Sequence, residues 1–225
     1  MTFFKYFLLI MVMPISFMAS AQNKYLTTKD SDAEALNLLD KAKSKLKQAS
    51  PLHFEYTFTT IVPGSEPEII NGRGIQKNDM YYLEMGEKTL YCDGKKLIVY
   101  DNILNEAQIN DMPEDDGQLT PEAILNTFSP DEYIYVLAPE KKIKGKSYYD
   151  IIIKPQDKYS GYSKIELLID KKTMLPYMVK MIMKDGTKNI LKINSVKMNQ
   201  DTDNNVFIFN KAEHPGVSVE DLRMN

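Results

Sequence analysis

From Leu52 onward the chain alternates. In LHFEYTF, Leu52, Phe54, Tyr56 and Phe58 take turns with His53, Glu55 and Thr57, the period of two that marks a half-buried strand. IINGRGIQK and MYYLEM read as a second strand pair divided by Asn78-Asp79. On MYYLEM the inward set is Tyr81, Leu83 and Met85, because Tyr82 and Glu84 alternate with them and a glutamate wants water. KTLYC and KLIVYD are joined by Asp93-Gly94, a hairpin signal, and EAQIN continues the meander. SYYDIIIKP, SKIELLID, LPYMVKMIM and TKNILKINSVKM are four further strands. LPYMVKMIM carries an apolar stripe of Tyr177, Val179, Met181 and Met183. VFIF is a last strand before a tail.

Two segments change period. In DSDAEALNLLDKAKSKLKQAS, Ala35, Leu38, Leu39, Ala42 and Leu46 fall at helical spacing. Asp30, Ser31 or Asp32 can cap this helix over Asp32–Gln48, lysines crowd its end, and Ser50-Pro51 stops it. LTPEAILNTFS predicts a short helix over Thr120–Phe128, with Thr120 as cap and Pro121 at the first position. The polar DMPEDDGQ before it reads as a linker. Helices and strands do not alternate regularly, which excludes a parallel sheet of βαβ units. The pattern predicts one domain, mainly β with helices: an unclosed, highly curved antiparallel half-barrel of about ten or eleven strands. Two helices are too few to cover both faces, so they fill the concave one.

The first residues bear on compartment. Lys5 precedes the apolar run YFLLIMVMPISFM, and ASA at Ala19–Ala21 is a small-x-small cleavage site. This predicts a signal peptide over residues 1–21, cleaved after Ala21, and an exported domain over 22–225. No cysteine follows that site, so lipidation by that route is excluded. The net charge of −3 comes from interspersed charges, which marks neither nucleic acid nor an anionic membrane as partner. A single cysteine cannot form an internal disulfide, so the chain holds together by its core. Thirteen methionines, fourteen tyrosines and no tryptophan suggest a soft, adaptable apolar lining.

Candidate chemistry is sparse. A nucleophilic Cys92 would need a base to form its thiolate, and only His53 and His214 are available. His53 lies on the polar side of its strand. Cys92 therefore reads as a packed residue of its hairpin. Two histidines and one cysteine give no metal cluster, and DMPEDD lacks the spacing and glycine of a calcium loop. NGRG reads as a turn or bulge and not a phosphate loop, because no helix follows it. No catalytic residue, metal or cofactor is predicted. What stands out is the large, flexible apolar content of the strands. It suits an ordinary core, or a core that opens as a pocket for an acyl chain.

The order of motifs resembles the LolA family, periplasmic carriers that take lipoproteins from the inner to the outer membrane. The resemblance spans about residues 32–223 and rests on FEYTFTT, GRG, CDGKKLIVYD, LTPEAIL and PGVSVEDLR in that order. It implies a chaperone-like carrier without catalysis, whose lid helices are displaced by lipoprotein acyl chains. It also implies a monomer in the periplasm that receives cargo from an inner-membrane ABC transporter and passes it to an outer-membrane acceptor. The strand pattern then assigns the acyl cavity to Leu52, Phe54, Tyr56, Phe58, Tyr81, Leu83, Met85, Val179 and Met181. The lid contributes Ile124, Leu125 and Phe128. The family holds its lid with an arginine before the third strand; here Lys77 is the nearest basic residue, and it cannot form the same forked hydrogen bonds. Alternatives are a lipid or glycolipid carrier, an envelope-stress sensory module on the same half-barrel, and a hydrolase.

Overall fold

The computed structural model describes residues 27–112, 121–126 and 128–223. The predicted leader with its Ala21 cleavage site, most of the DMPEDDGQ linker and the Thr120 cap lie outside the described residues.

Helix α1 (Ala33–Gln48) is followed by strands β1 (Leu52–Ile61), β2 (Glu68–Lys77), β3 (Met80–Met85), β4 (Lys88–Cys92), β5 (Lys96–Asp101) and β6 (Glu106–Asp111). After helix α2 (Pro121–Asn126) come β7 (Tyr133–Ile143), β8 (Lys146–Pro155), β9 (Tyr162–Asp170), β10 (Pro176–Met183), β11 (Lys188–Met198) and β12 (Ser218–Asp221). All twelve join one open sheet in the order β12-β6-β5-β4-β3-β2-β1-β11-β10-β9-β8-β7. Neighbours are antiparallel except β12, which runs parallel to β6. The sheet is therefore mixed, because the tail returns along the β6 edge. The expected last strand, VFIF, is not a strand. Asn204–Phe207 is a 3-10 turn started by Asp203, whose side chain accepts from the Asn205 amide.

α1 buries the five residues that its periodicity singled out: Ala35, Leu38, Leu39, Ala42 and Leu46. They share one apolar cluster with Leu52, Phe54 and Tyr56 of β1, Tyr81 and Leu83 of β3, and residues of β7 to β11. This defines the inner face of the half-barrel. Asp32 stands at the N-cap position, yet its side chain does not cap the helix. Its Oδ2 accepts from the Leu137 amide at 2.7 Å and its own amide donates to the Tyr135 carbonyl at 2.8 Å. Ser31 Oγ accepts from the Tyr135 amide at 3.1 Å. The open edge of β7 is thus partly paired by the residues that enter α1, which restrains a strand edge that would otherwise invite association.

Strand β7 is absent from the period-two reading. Pro139 and a register irregularity between Ala138 and Lys141 interrupt it, a combination confined to edge strands and bulges. Bulges also move residues between faces. On β10 the register shifts between Pro176 and Met178. Val179 and Met181 stay in the inner cluster. Tyr177 turns outward instead, with its ring 4.5 Å from that of Tyr148. The stripe expected to run from Tyr177 to Met183 is broken there.

NGRG is neither turn nor bulge but the middle of β2. A Cβ on Gly74 would sit 2.3 Å from Phe54 Cζ, and one on Gly72 2.5 Å from the Tyr56 ring. The two glycines let rings from β1 lie across β2, and the Tyr56 hydroxyl then donates to the Glu84 carbonyl at 2.8 Å.

The outer face of β7 to β10 is charged. Glu166, nearly buried, lies 2.9 Å from Lys164, 3.5 Å from Lys180 and 3.6 Å from Lys141. Burial alone would raise its carboxyl, but the Lys164 hydrogen bond and the charges of Lys180 and Lys141 hold it below the ordinary range.

Two outcomes follow from this packing. Gly74→Ala should destabilise the chain by about 1–3 kcal/mol in urea unfolding, and by clearly less in a Phe54→Leu background, which removes the clashing ring. Glu166 stabilises the fold above its unfolded value and loses that effect as pH falls through its lower folded value. The stability gap between Glu166→Gln and the parent chain should therefore be full near neutral pH and close below about pH 4.

Candidate functional site

The apolar interior is built from residues far apart in sequence. Leu52, Phe54, Tyr56, Tyr81, Leu83 and Val179 are buried within it, and Phe58 and Met181 pack against it half-buried. From the segment expected to act as a lid, Leu125 and Phe128 are buried in the same cluster and Ile124 packs against it. Met85, at the end of β3, is half-buried and lies outside that cluster. β2 offers it only Gly72 as its partner across the strands.

Helix α2 packs mainly on α1. Its attachment beyond apolar contact comes from a group that the sequence reading missed. The Tyr135 hydroxyl, fully buried, donates to the Phe128 carbonyl just beyond the helix. Burial, with smaller contributions from Tyr133 and Asp40, pushes this phenol well above the ordinary tyrosine range, so it remains a donor. Phe128 also meets the Tyr133 ring edge-on at 5.4 Å. Both tyrosines belong to β7, the strand hidden by its proline.

Lys77 does not reach this helix among the described residues. Its Nζ donates to the Thr202 carbonyl at 3.1 Å and to Asn204 Oδ1 at 2.7 Å. It fastens the C-terminal segment to the other side of the sheet, so the latch expected there is corrected to a strap anchor. The reason is geometric: Lys77 ends β2 beside the turn to β3, where residues 202–204 pass.

The interior holds the sequence's other apolar runs as well. Ile151 and Ile153 of β8 and Ile165, Leu167 and Ile169 of β9 are wholly buried there. Both strands were legible, but not their joining the same cavity wall. Cys92 is buried in this cluster, its thiol directed at the Asp79 carbonyl and the Met112 sulfur. Burial raises its pKa, so it stays a packed thiol. Among the described residues no group of three or more histidine, cysteine or acidic side chains could hold a metal. No helix among them is long and apolar enough to cross a membrane.

At the seam where α2 meets α1 and the sheet, a cavity of only about 10 Å³ remains. Leu46, Leu52, Phe54, Pro121, Ile193 and Val196 are among its lining residues. Among the described residues this seam is tightly packed, so an acyl chain there would have to displace α2.

A protein from Thermus thermophilus, described as an uncharacterized conserved protein, is similar over 85% of this chain and 99% of its own, at 14% identity and a TM-score of 0.57. A LolA superfamily protein from Nitrosomonas europaea is similar over 78% of this chain and 97% of its own, at 14% identity and a TM-score of 0.42. The chain is similar to LolA-like proteins. A third structure, the MucA/MucB complex of Pseudomonas aeruginosa, matches over 80% of this chain and 62% of its own, at 17% identity and a TM-score of 0.44. At these identities the likeness to LolA-like proteins concerns the fold alone. A family model described as "-like: Uncharacterized protein" matches residues 118–212. No curated protein matches the sequence.

Tyr135→Phe should loosen α2 specifically. Losing one buried hydrogen bond of about 1–1.5 kcal/mol should speed amide hydrogen exchange in residues 122–126 by roughly tenfold, while the α1 amides change much less.

Proposed function

We propose that the protein is a periplasmic carrier that binds lipoprotein acyl chains in this interior and delivers lipoproteins toward the outer membrane. The observation that supports it is the way α2 closes the apolar interior. A short helix, resting mainly on α1, covers an all-apolar seam, and one tyrosine hydrogen bond ties down the chain just beyond it. Cargo would displace α2 and cover the apolar seam it leaves, beside Leu52, Phe54, Ile193 and Val196. Lys77 has no part in that step, and no side chain is asked to perform a reaction.

The energetics suit a carrier. Each buried methylene contributes roughly 0.8 kcal/mol, so two or three acyl chains in a preformed open pocket would bind almost irreversibly. Opening α2 costs the burial of Leu125 and Phe128 plus the Tyr135 bond, several kcal/mol for groups of this kind. Net affinity is acyl burial minus lid opening, and an acceptor can win cargo by a modest difference. The donor in this reading is an inner-membrane ABC transporter, the receiver an outer-membrane acceptor, and the carrier a monomer.

Binding of a synthetic triacylated lipopeptide by the full chain tests the reading. The parent should bind it, and Leu83→Glu, confirmed folded by circular dichroism, should not. Leu125→Ala weakens the closed state by about 2–5 kcal/mol; it should hold the lipopeptide more tightly and release it more slowly to acceptor vesicles. A folded Leu83→Glu chain that still binds would overturn the assignment. Mass spectrometry of co-purified material separates this reading from its alternatives: triacylated peptides support it, whereas free lipid, glycolipid or a regulatory protein would replace it.

A further inference from the structure

A second cavity, of about 970 Å³, lies on the outer face of the sheet beneath the C-terminal strap. Its size falls within the range of small-molecule sites, and of the acyl-interior residues only Phe54 also borders it. Its floor crosses five strands in two rows set by register. One row runs Ser195, Glu55, Arg73 across β11, β1 and β2, with Glu84 of β3 next in register behind it. The next runs Lys197, His53, Ile75, Tyr82, Tyr91 and reaches β4. At about 4.8 Å per strand the floor is nearly 20 Å long.

The floor is held in place. The sheet's own backbone ladder fixes the strands, and Glu84 accepts from both Arg73 at 2.6 Å and Tyr82 at 2.5 Å. Glu55 accepts from Ser195 at 2.9 Å. The strap that forms the wall is pinned by Lys77 and by His53, whose Nε2 lies 2.8 Å from Thr202 Oγ1. At its far end Asn105 donates to the Pro215 carbonyl.

We propose that this trough binds a neutral oligosaccharide. Three features of the lining select that class. First, its charges are mixed: Arg73 and Lys197 stand beside Glu55 and Glu213, so neither an anion nor a cation gains from the whole length. Second, a sugar hydroxyl both donates and accepts, so it can bridge neighbouring donors and acceptors spaced as Ser195, Glu55 and Arg73 are. The Arg73 side chain is 66% exposed, and its guanidinium has five N–H donors in all. Third, Tyr82 and Tyr91 meet edge to face at 5.3 Å, and Tyr91 meets Phe209 likewise at 5.5 Å. All three rings are half-exposed, and the electron-rich face of such a ring suits the C–H face of a pyranose. An extended peptide fits less well. The trough runs across the strands, whose amides are already paired, so no strand can be added along it.

The test is a titration of the full chain with maltotriose, cellotriose and triacetylchitotriose, followed by amide chemical shifts. At least one of the three should shift residues 73–75 and 82 saturably. Arg73→Ala should weaken that sugar about tenfold, and Lys197→Ala should weaken it in the same direction. Triacylated lipopeptide binding by Arg73→Ala should remain at the parent level, which separates this site from the interior. No saturable shift with any of the three sugars would overturn the proposal. Shifts confined to the inner-face residues, or sugar binding unaffected by both substitutions, would do the same. So would saturable binding in the trough by an unstructured peptide alone.

Discussion

An open sheet with one apolar face must cover that face, and here α1 does most of it. Ala35 and Ala42 are completely buried, and their small side chains let the helix lie close to the strands. Leu38, Leu39 and Leu46 fill the space between. Area bookkeeping makes each such leucine worth roughly 1.5–3 kcal/mol. Because α1 alone cannot span twelve strands, the remaining seam falls to α2, which meets the sheet at the cavity beside Leu52 and Phe54. The position of α2 is a consequence of that shortfall.

The same constraint explains how the ends of the sheet are treated. One edge, β7, is partly paired by Ser31 and Asp32, so the start of α1 is tied to the strand that also carries Tyr133 and Tyr135. Closure of α2 and restraint of the edge therefore depend on one strand. The other edge is β12, laid parallel on β6 by the returning tail. On its way there the tail crosses the outer face, where Phe209 and His214 stack on each other at 4.7 Å and pack against Tyr91 of β4 and Tyr100 of β5.

The two faces consequently offer different chemistry. The inner face is apolar and closed, suited to groups that gain only by leaving water. The outer face is polar, aromatic and open, and its groups are fixed by hydrogen bonds within the sheet. Alternation along β1 to β3 sets Leu52, Phe54 and Leu83 on one face and His53, Glu55 and Tyr82 on the other.

Much of this was legible locally. Helical spacing named all five buried residues of α1, and period two placed Leu52, Phe54, Tyr56, Tyr81 and Leu83 on one face. These are properties of the nearest few residues, because side-chain direction follows backbone period. The sequence did not reveal the bulge that turns Tyr177 outward, the Pro139-interrupted strand β7, or the glycines of β2 that admit rings from β1. Nor did it reveal that Lys77 serves the strap, or that Tyr135 ties the residue beyond α2. Most of these depend on a partner distant along the chain, such as Thr202 for Lys77 across 125 positions; Phe128 is only 7 positions from Tyr135, but the strand that carries Tyr135 was itself unread. A one-residue bulge also reverses every side chain after it. Periodicity decides which way a residue points within its strand; only the assembled sheet decides what it meets there.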